Sequence, residues 1–195
     1  VYYHYIYSNF YMRDYISSAY HFKNFSLKFP LSYKNEEMEY MSTYCQYLQS
    51  PRHTLDQKNT YEAINSLQKF SSDYPSSDSM IRVNELVINL NNKLQKKDFE
   101  IVKLYYQTGK FPSAIYAVDE FLNRFPETSH VEELNFIQIK SYYELGKNSI
   151  AEKREQRIKD AIFACNNFLL DFPEGNYNKE INSIYAKLKE IQNGL

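Results

Sequence analysis

Four short phrases constrain this chain more than anything else in it: FSLKFPLSY from Phe25, FSSDYPSSD from Phe70, FLNRFPETS from Phe121 and FLLDFPEGN from Phe168. Each places an aromatic residue directly before a proline, at Pro30, Pro75, Pro126 and Pro173. Proline disfavours helical backbone in the residue before it, so each phrase predicts the stop of a helix. Upstream of every proline one template recurs, with a small residue twelve before, an apolar residue eight before, and aromatics five and one before. The four copies read Ser18, Phe22, Phe25, Phe29; Ala63, Leu67, Phe70, Tyr74; Ala114, Val118, Phe121, Phe125; and Ala161, Cys165, Phe168, Phe172. Offsets of four, seven and eleven trace one stripe of a helix. The prolines lie 45, 51 and 47 residues apart (30 to 75, 75 to 126, 126 to 173), a period that points to an array of helical repeats.

Composition agrees. Four glycines and six prolines are too few for a sheet-rich domain with its many glycine turns. A hydrophobic fraction of 43% supplies a core. Twenty-three basic against 24 acidic residues give a net charge of −1, so no basic field draws in nucleic acid. Tyr (20) and Phe (13) are abundant while Trp is absent, which fits either a binding surface or an AT-rich genome. No run approaches the ~18 apolar residues of a membrane span.

A second shared phrase, VKLYYQTGKFPSAI from Val102 and IKSYYELGKNSIAE from Ile139, precedes two of the copies. Tyr105-Tyr106, Gly109, Phe111, Ala114 and Pro126 match the tetratricopeptide pattern. Gly109 is placed to end a first helix in the left-handed conformation, and Ala114 to let a second helix lie close. The expected fold is an all-α tetratricopeptide superhelical solenoid of about four helical hairpins plus a C-terminal helix. It forms one domain over 1–195, with units near 1–32, 33–76, 77–127 and 128–174 and the last helix near 177–193. The stretch 76–108 lacks Gly and Pro and reads as one very long helix or two nearly continuous ones. KNSIAEKREQRIKD after Gly146 and LQSPRHTLDQKNTYE before Ala63 must lengthen helices or loops.

Chemistry is sparse. His4, His21, His53 and His130 stand outside metal-ligand spacing, and no nucleophile elbow, phosphate loop or HExxH occurs, so no enzyme, metal or cofactor is expected. Cys45 and Cys165 form no CxxC, and Cys165 falls on the core stripe. Glu36-Glu37 and Glu132-Glu133 follow prolines, where carboxylates suit the start of a helix, and Ser129 with Glu132 reads as a capping box. Phe99, Lys103, Tyr106 and Phe136, Lys140, Tyr143 share i, i+4, i+7 spacing on two first helices. Such a ladder would grip an extended peptide; alternatively the phenylalanines are core and the lysines solvated. The stretch VYYHYIYSNFYMRDY is too aromatic for a free surface, so it packs beneath a preceding repeat or meets a partner.

CQYLQSPRHTLDQKNTYEAINSLQKFSSDYPSSD, followed by DFEIVKLYYQTGKFPSAIYAVDEFLNRFPETSHVEELNFIQIKSYYELGKNSI, resembles the BamD-type lipoproteins of the outer-membrane β-barrel assembly machine, in their Bacteroidetes-like form. The resemblance covers essentially the whole chain. It implies a non-enzymatic periplasmic scaffold on the inner leaflet of the outer membrane. The membrane would be reached only through an N-terminal lipid anchor that, with a first repeat, is absent from this sequence. The implied partners are a BamA-like barrel subunit with other assembly-machine components, and unfolded outer-membrane protein segments. The barrel subunit would meet Tyr105–Lys110 and Lys147–Asn148, and substrates the aromatic N-terminal units. In the SPRHTLDQ loop, Arg52 and Asp56 face lineage-specific partners or pair with each other. The alternative is another periplasmic tetratricopeptide adaptor coordinating envelope or peptidoglycan machinery.

Overall fold

A computed structural model describes residues 1–194. Among them are nine helices and no strand: α1 (Tyr2–Tyr11), α2 (Tyr15–Lys28), α3 (Asn35–Gln49), α4 (Lys58–Asp73), α5 (Met80–Gln107), α6 (Phe111–Arg124), α7 (Val131–Lys147), α8 (Ala151–Asp171) and α9 (Asn178–Asn193). The all-α, hairpin-repeat class expected from the sequence is what forms. The chain divides into two compact units, Val1–Lys97 and the residues from Asp98 onward. In the first, α2 packs on α1 and α3, and α3 on α4; in the second, α7 packs on α6, α8 and α9, and α8 on α9. The uninterrupted α5 contributes to both.

The aromatic-proline phrases stop helices as predicted, and they do so with one geometry. Phe29, Tyr74, Phe125 and Phe172 are the C-caps of α2, α4, α6 and α8, with φ of −130°, −131°, −128° and −129°. Each cap N–H donates to the carbonyl four residues back, and each cap ring lies 5.0–5.1 Å from the aromatic at that residue. The chain then closes a turn: the N–H of Ser32, Ser77, Thr128 and Gly175 donates back to the cap carbonyl. In three copies the Ser or Thr hydroxyl of that turn accepts from the N–H two residues on, at Lys34, Ser79 and His130.

This turn corrects the expected capping box. The N-cap of α7 is His130, which makes no side-chain cap bond, and the nearby hydroxyl bond is that of Thr128, which accepts from the His130 N–H within the turn. Glu132 instead reaches the next turn, accepting from Asn176 Nδ2 (3.1 Å) and the Tyr177 N–H (3.4 Å). Glu36, its counterpart in α3, likewise accepts from Ser77 Oγ.

The small-residue stripe is buried: Ser18, Ala63, Ala114 and Ala161 are fully inaccessible, as are Phe22, Leu67, Val118 and Cys165. The insertion after Gly146 extends α8 at its start, leaving only residues 148–150 as a loop. Gly109 has φ +71°, as its place after α5 requires, and Arg13 occupies the equivalent place after α1 with φ 63°. A Cβ at Gly109 would meet nothing within 4 Å, so the strain is purely conformational. Gly109→Ala should therefore cost about 1–2 kcal/mol in urea unfolding, and a neutral result would remove the left-handed turn as the cause.

Most rings of the aromatic N-terminal stretch are engaged within the first unit. Tyr2 stacks on Phe25 (6.3 Å, 5°), Ile6 is fully buried, and Phe10 meets Tyr15, Phe22 and Tyr44. Tyr3 and Tyr7 both donate to Glu37, at 2.8 and 2.6 Å.

Candidate interaction ladder

Phe99 is a core residue, buried in a cluster with Val102, Val118, Phe121, Leu134 and Ile137. Its ring stacks on His130, the N-cap of α7, with centroids 4.4 Å apart. Phe136 is also buried, and it stacks in the same way on Tyr177, the N-cap of α9, at 4.2 Å. One turn on, Lys103 Nζ lies 5.1 Å above the Phe99 ring and 3.9 Å from Glu133 Oε1. Lys140 Nζ lies 4.9 Å above Phe136 and 5.1 Å above Tyr106. The phenylalanines are thus core, yet the lysines above them sit on rings rather than free in water.

Tyr106, Lys140 and Tyr143 line a 240 Å³ groove with Glu144, Glu180 and Lys187. Its two lysines equal its two glutamates in number, so the lining carries no net charge while including two tyrosine rings. Lys147 lies 5.8 Å above Tyr143 and 3.6 Å from Glu144. Asn148 caps α7, donating through Nδ2 to the Glu144 carbonyl at 2.9 Å. Lys110 is the exposed N-cap of α6.

The same i, i+4, i+7 trio occurs in the other two first helices, as Tyr3, Tyr7, Phe10 and Tyr40, Tyr44, Tyr47. Both are visible in the sequence once the lysine is not required. A charged residue three places after the next N-cap faces each: Glu37 for Tyr3 and Tyr7, Arg82 for Tyr40, Glu133 for Lys103, with Glu180 beside Lys140. In the α3 copy the rings are nearly parallel, Tyr40–Tyr44 at 6.1 Å and Tyr44–Tyr47 at 6.0 Å. Burial opposes ionisation of Glu37, but hydrogen bonds from Lys34, Tyr7 and Tyr3 outweigh it and hold the carboxyl below its ordinary value. Burial and that carboxylate push the Tyr7 phenol well above the ordinary range.

The loop at 50–57 is built by a continuous polar chain. Lys93 Nζ donates to Ser50 Oγ (2.6 Å), which bonds Thr60 Oγ1; Thr60 donates to Gln57 Oε1, and Gln57 Nε2 donates to the carbonyls of Arg52 and Leu55. Arg52 and Asp56 are exposed and do not pair with each other. Asp56 instead accepts from the Lys58 N–H at the start of α4, the nearest unsatisfied donor.

A family model described as outer membrane lipoprotein (YfiO) matches residues 1–157 and, again, residues 99–195. The chain belongs to this family. The double match over 99–157 is what internal repetition produces, since each hairpin can align to more than one repeat. A 92-residue stretch is 29% identical to the outer membrane protein assembly factor BamD of Buchnera aphidicola subsp. Acyrthosiphon pisum (strain APS), covering 45% of this chain. The match spans 37% of that relative's length. The BamD-type resemblance stands on these two matches. Among the described residues, no helix of this lipoprotein-family chain is long and apolar enough to cross a membrane, and no His, Cys, Asp and Glu group is set to hold a metal.

Proposed function

We propose that the chain is a non-enzymatic periplasmic scaffold of the outer-membrane β-barrel assembly machine. The observation that carries this is the family match, which extends from one end of the chain to the other. The relative's name as an assembly factor supports the same reading. Mechanistically, within the second unit α5 and α7 repeat one rung, a buried phenylalanine beneath a lysine, which would offer an extended segment a pair of equivalent contacts. The near-neutral groove around Lys140 would read backbone and aromatic side chains more than net charge. The exposed Lys110 and the Lys147–Asn148 corner would serve the BamA-like barrel subunit, and the tyrosine rungs of α1 and α3 the unfolded barrel segments.

Co-purification with a BamA-like barrel protein tests the scaffold. Lys110→Glu with Lys147→Glu should weaken recovery about tenfold, as loss of charge-assisted contacts at a rim does. Lys103→Glu with Lys140→Glu should leave that recovery intact while weakening binding of a barrel-derived peptide. If no barrel protein is recovered with the unaltered chain, the reading fails, and recovery of peptidoglycan machinery would favour an envelope adaptor.

A further inference from the structure

We propose that the outer face of α2 docks on the interfacial layer of a lipid bilayer. At one hundred degrees per residue, Ile16, Tyr20, Lys23 and Leu27 fall within about 60° of arc. That arc lies opposite Ser18, Phe22 and Phe25, which are buried. Ile16, Tyr20 and Leu27 are 74%, 65% and 73% exposed, an apolar stripe turned away from the hairpin core. Scattered exposed apolar residues need no explanation, but three aligned along a single helix do.

Charge selects the occupant. Arg13 precedes the helix and Lys23 lies within the stripe, whereas Lys28, the last residue of α2, is turned aside with its Nζ 4.9 Å over the Tyr2 ring. The acid beside them is Asp14, which already accepts from the Ser17 N–H as the N-cap. Lysine stems lie along apolar surface while their heads reach anionic headgroups, and tyrosine favours the membrane–water boundary. A helix of 14 residues is far too short to span and suits an in-plane position. On its other side Lys23 borders a groove with Glu39 and Asp73, so the apolar three carry the larger share. In α8, Phe163 and Leu170 are exposed in a similar way, at 67% and 79%, but Asp160 and Asp171 flank them and would repel an anionic surface. Membership in a family of outer membrane lipoproteins makes a bilayer the surface to which such a face is presented. This contact comes from the chain's own side chains and is additional to any lipid anchor.

The absence of tryptophan makes the test direct. With the full chain carrying Tyr20→Trp, vesicles of phosphatidylethanolamine and phosphatidylglycerol should shift the emission to the blue. Adding Ile16→Asp and Leu27→Asp should lower the vesicle partition coefficient at least about tenfold, with the circular dichroism spectrum unchanged. Phe163→Trp, in an otherwise unaltered chain, should show no shift. No shift from Tyr20→Trp overturns the proposal, as does an equal shift from Phe163→Trp. A shift that needs no vesicles and grows with protein concentration assigns the face to a second copy, and one that appears only with a barrel protein assigns it to that partner; either overturns the membrane reading. Because the readout needs no assembly partner, its failure is separable from failure of the scaffold reading.

Discussion

Phe121→Ala is expected to lower the stability of the second unit by about 3–5 kcal/mol, the usual cost of emptying a phenylalanine site in a packed core. Phe121 is 1% exposed. Its ring meets Phe99 edge-on at 6.3 Å and Phe125 at 5.1 Å, and Val118, Leu134 and Ile137 close the cluster around it. These neighbours come from α5, α6 and α7, so the cavity would open where the hairpin meets the next helix and little could collapse into it. Domains of this kind have a total stability of ~5–15 kcal/mol, so a substantial fraction would be lost. Phe125→Ala should cost much less, because that ring is only half-buried and its main contribution is to close the end of α6. Urea titration followed at 222 nm separates the two. Equal costs would mean that the residue five before the proline is not the anchor of the repeat.

The repeat register was legible in the sequence because the forces that set it are local. Proline restricts the residue before it whatever the rest of the chain does, and four C-caps with φ near −130° are the result. Gly109 and Cys165 were legible for the same reason, one through its backbone freedom and the other through its place on a stripe. Side chains whose partners lie far along the chain were harder to read. Glu132 looks like a capping residue until Asn176 and Tyr177, 44 and 45 residues on, supply better donors. The crowding of tyrosines in α1 looks unpartnered until Glu37, 30 residues beyond Tyr7, is folded against it. The ladder is only half legible from its lysines, which occur in α5 and α7 alone, whereas an aromatic residue at the first position of the trio repeats in all four first helices.

The largest effect should appear at the two thiols. Cys45 and Cys165 are fully inaccessible, and burial pushes each thiol from 9.0 up to about 12. At pH 8 the thiolate fraction falls by roughly a thousandfold, and only the thiolate reacts. Alkylation by iodoacetamide should therefore run at least about a thousandfold slower in the native chain than in urea, through transient opening alone. Cys165→Val, which copies Val118 of the preceding hairpin, leaves Cys45 to report on the first unit. Cys45→Ala leaves Cys165 to report on the second. The displacement also has a sign in stability. A folded-state pKa above the unfolded value contributes stability that is complete below the unfolded pKa. That contribution is lost as pH rises through the window from about 9 to about 12, where the unfolded thiol ionises and the buried one does not. Unfolding midpoints should accordingly fall across that window, and more steeply with both cysteines present than in the Cys165→Val chain. Rapid stoichiometric alkylation of both thiols at pH 8 in native buffer would show that the positions four residues along the stripe from Ala161 and within α3 are not core, and with them the repeat register would fall.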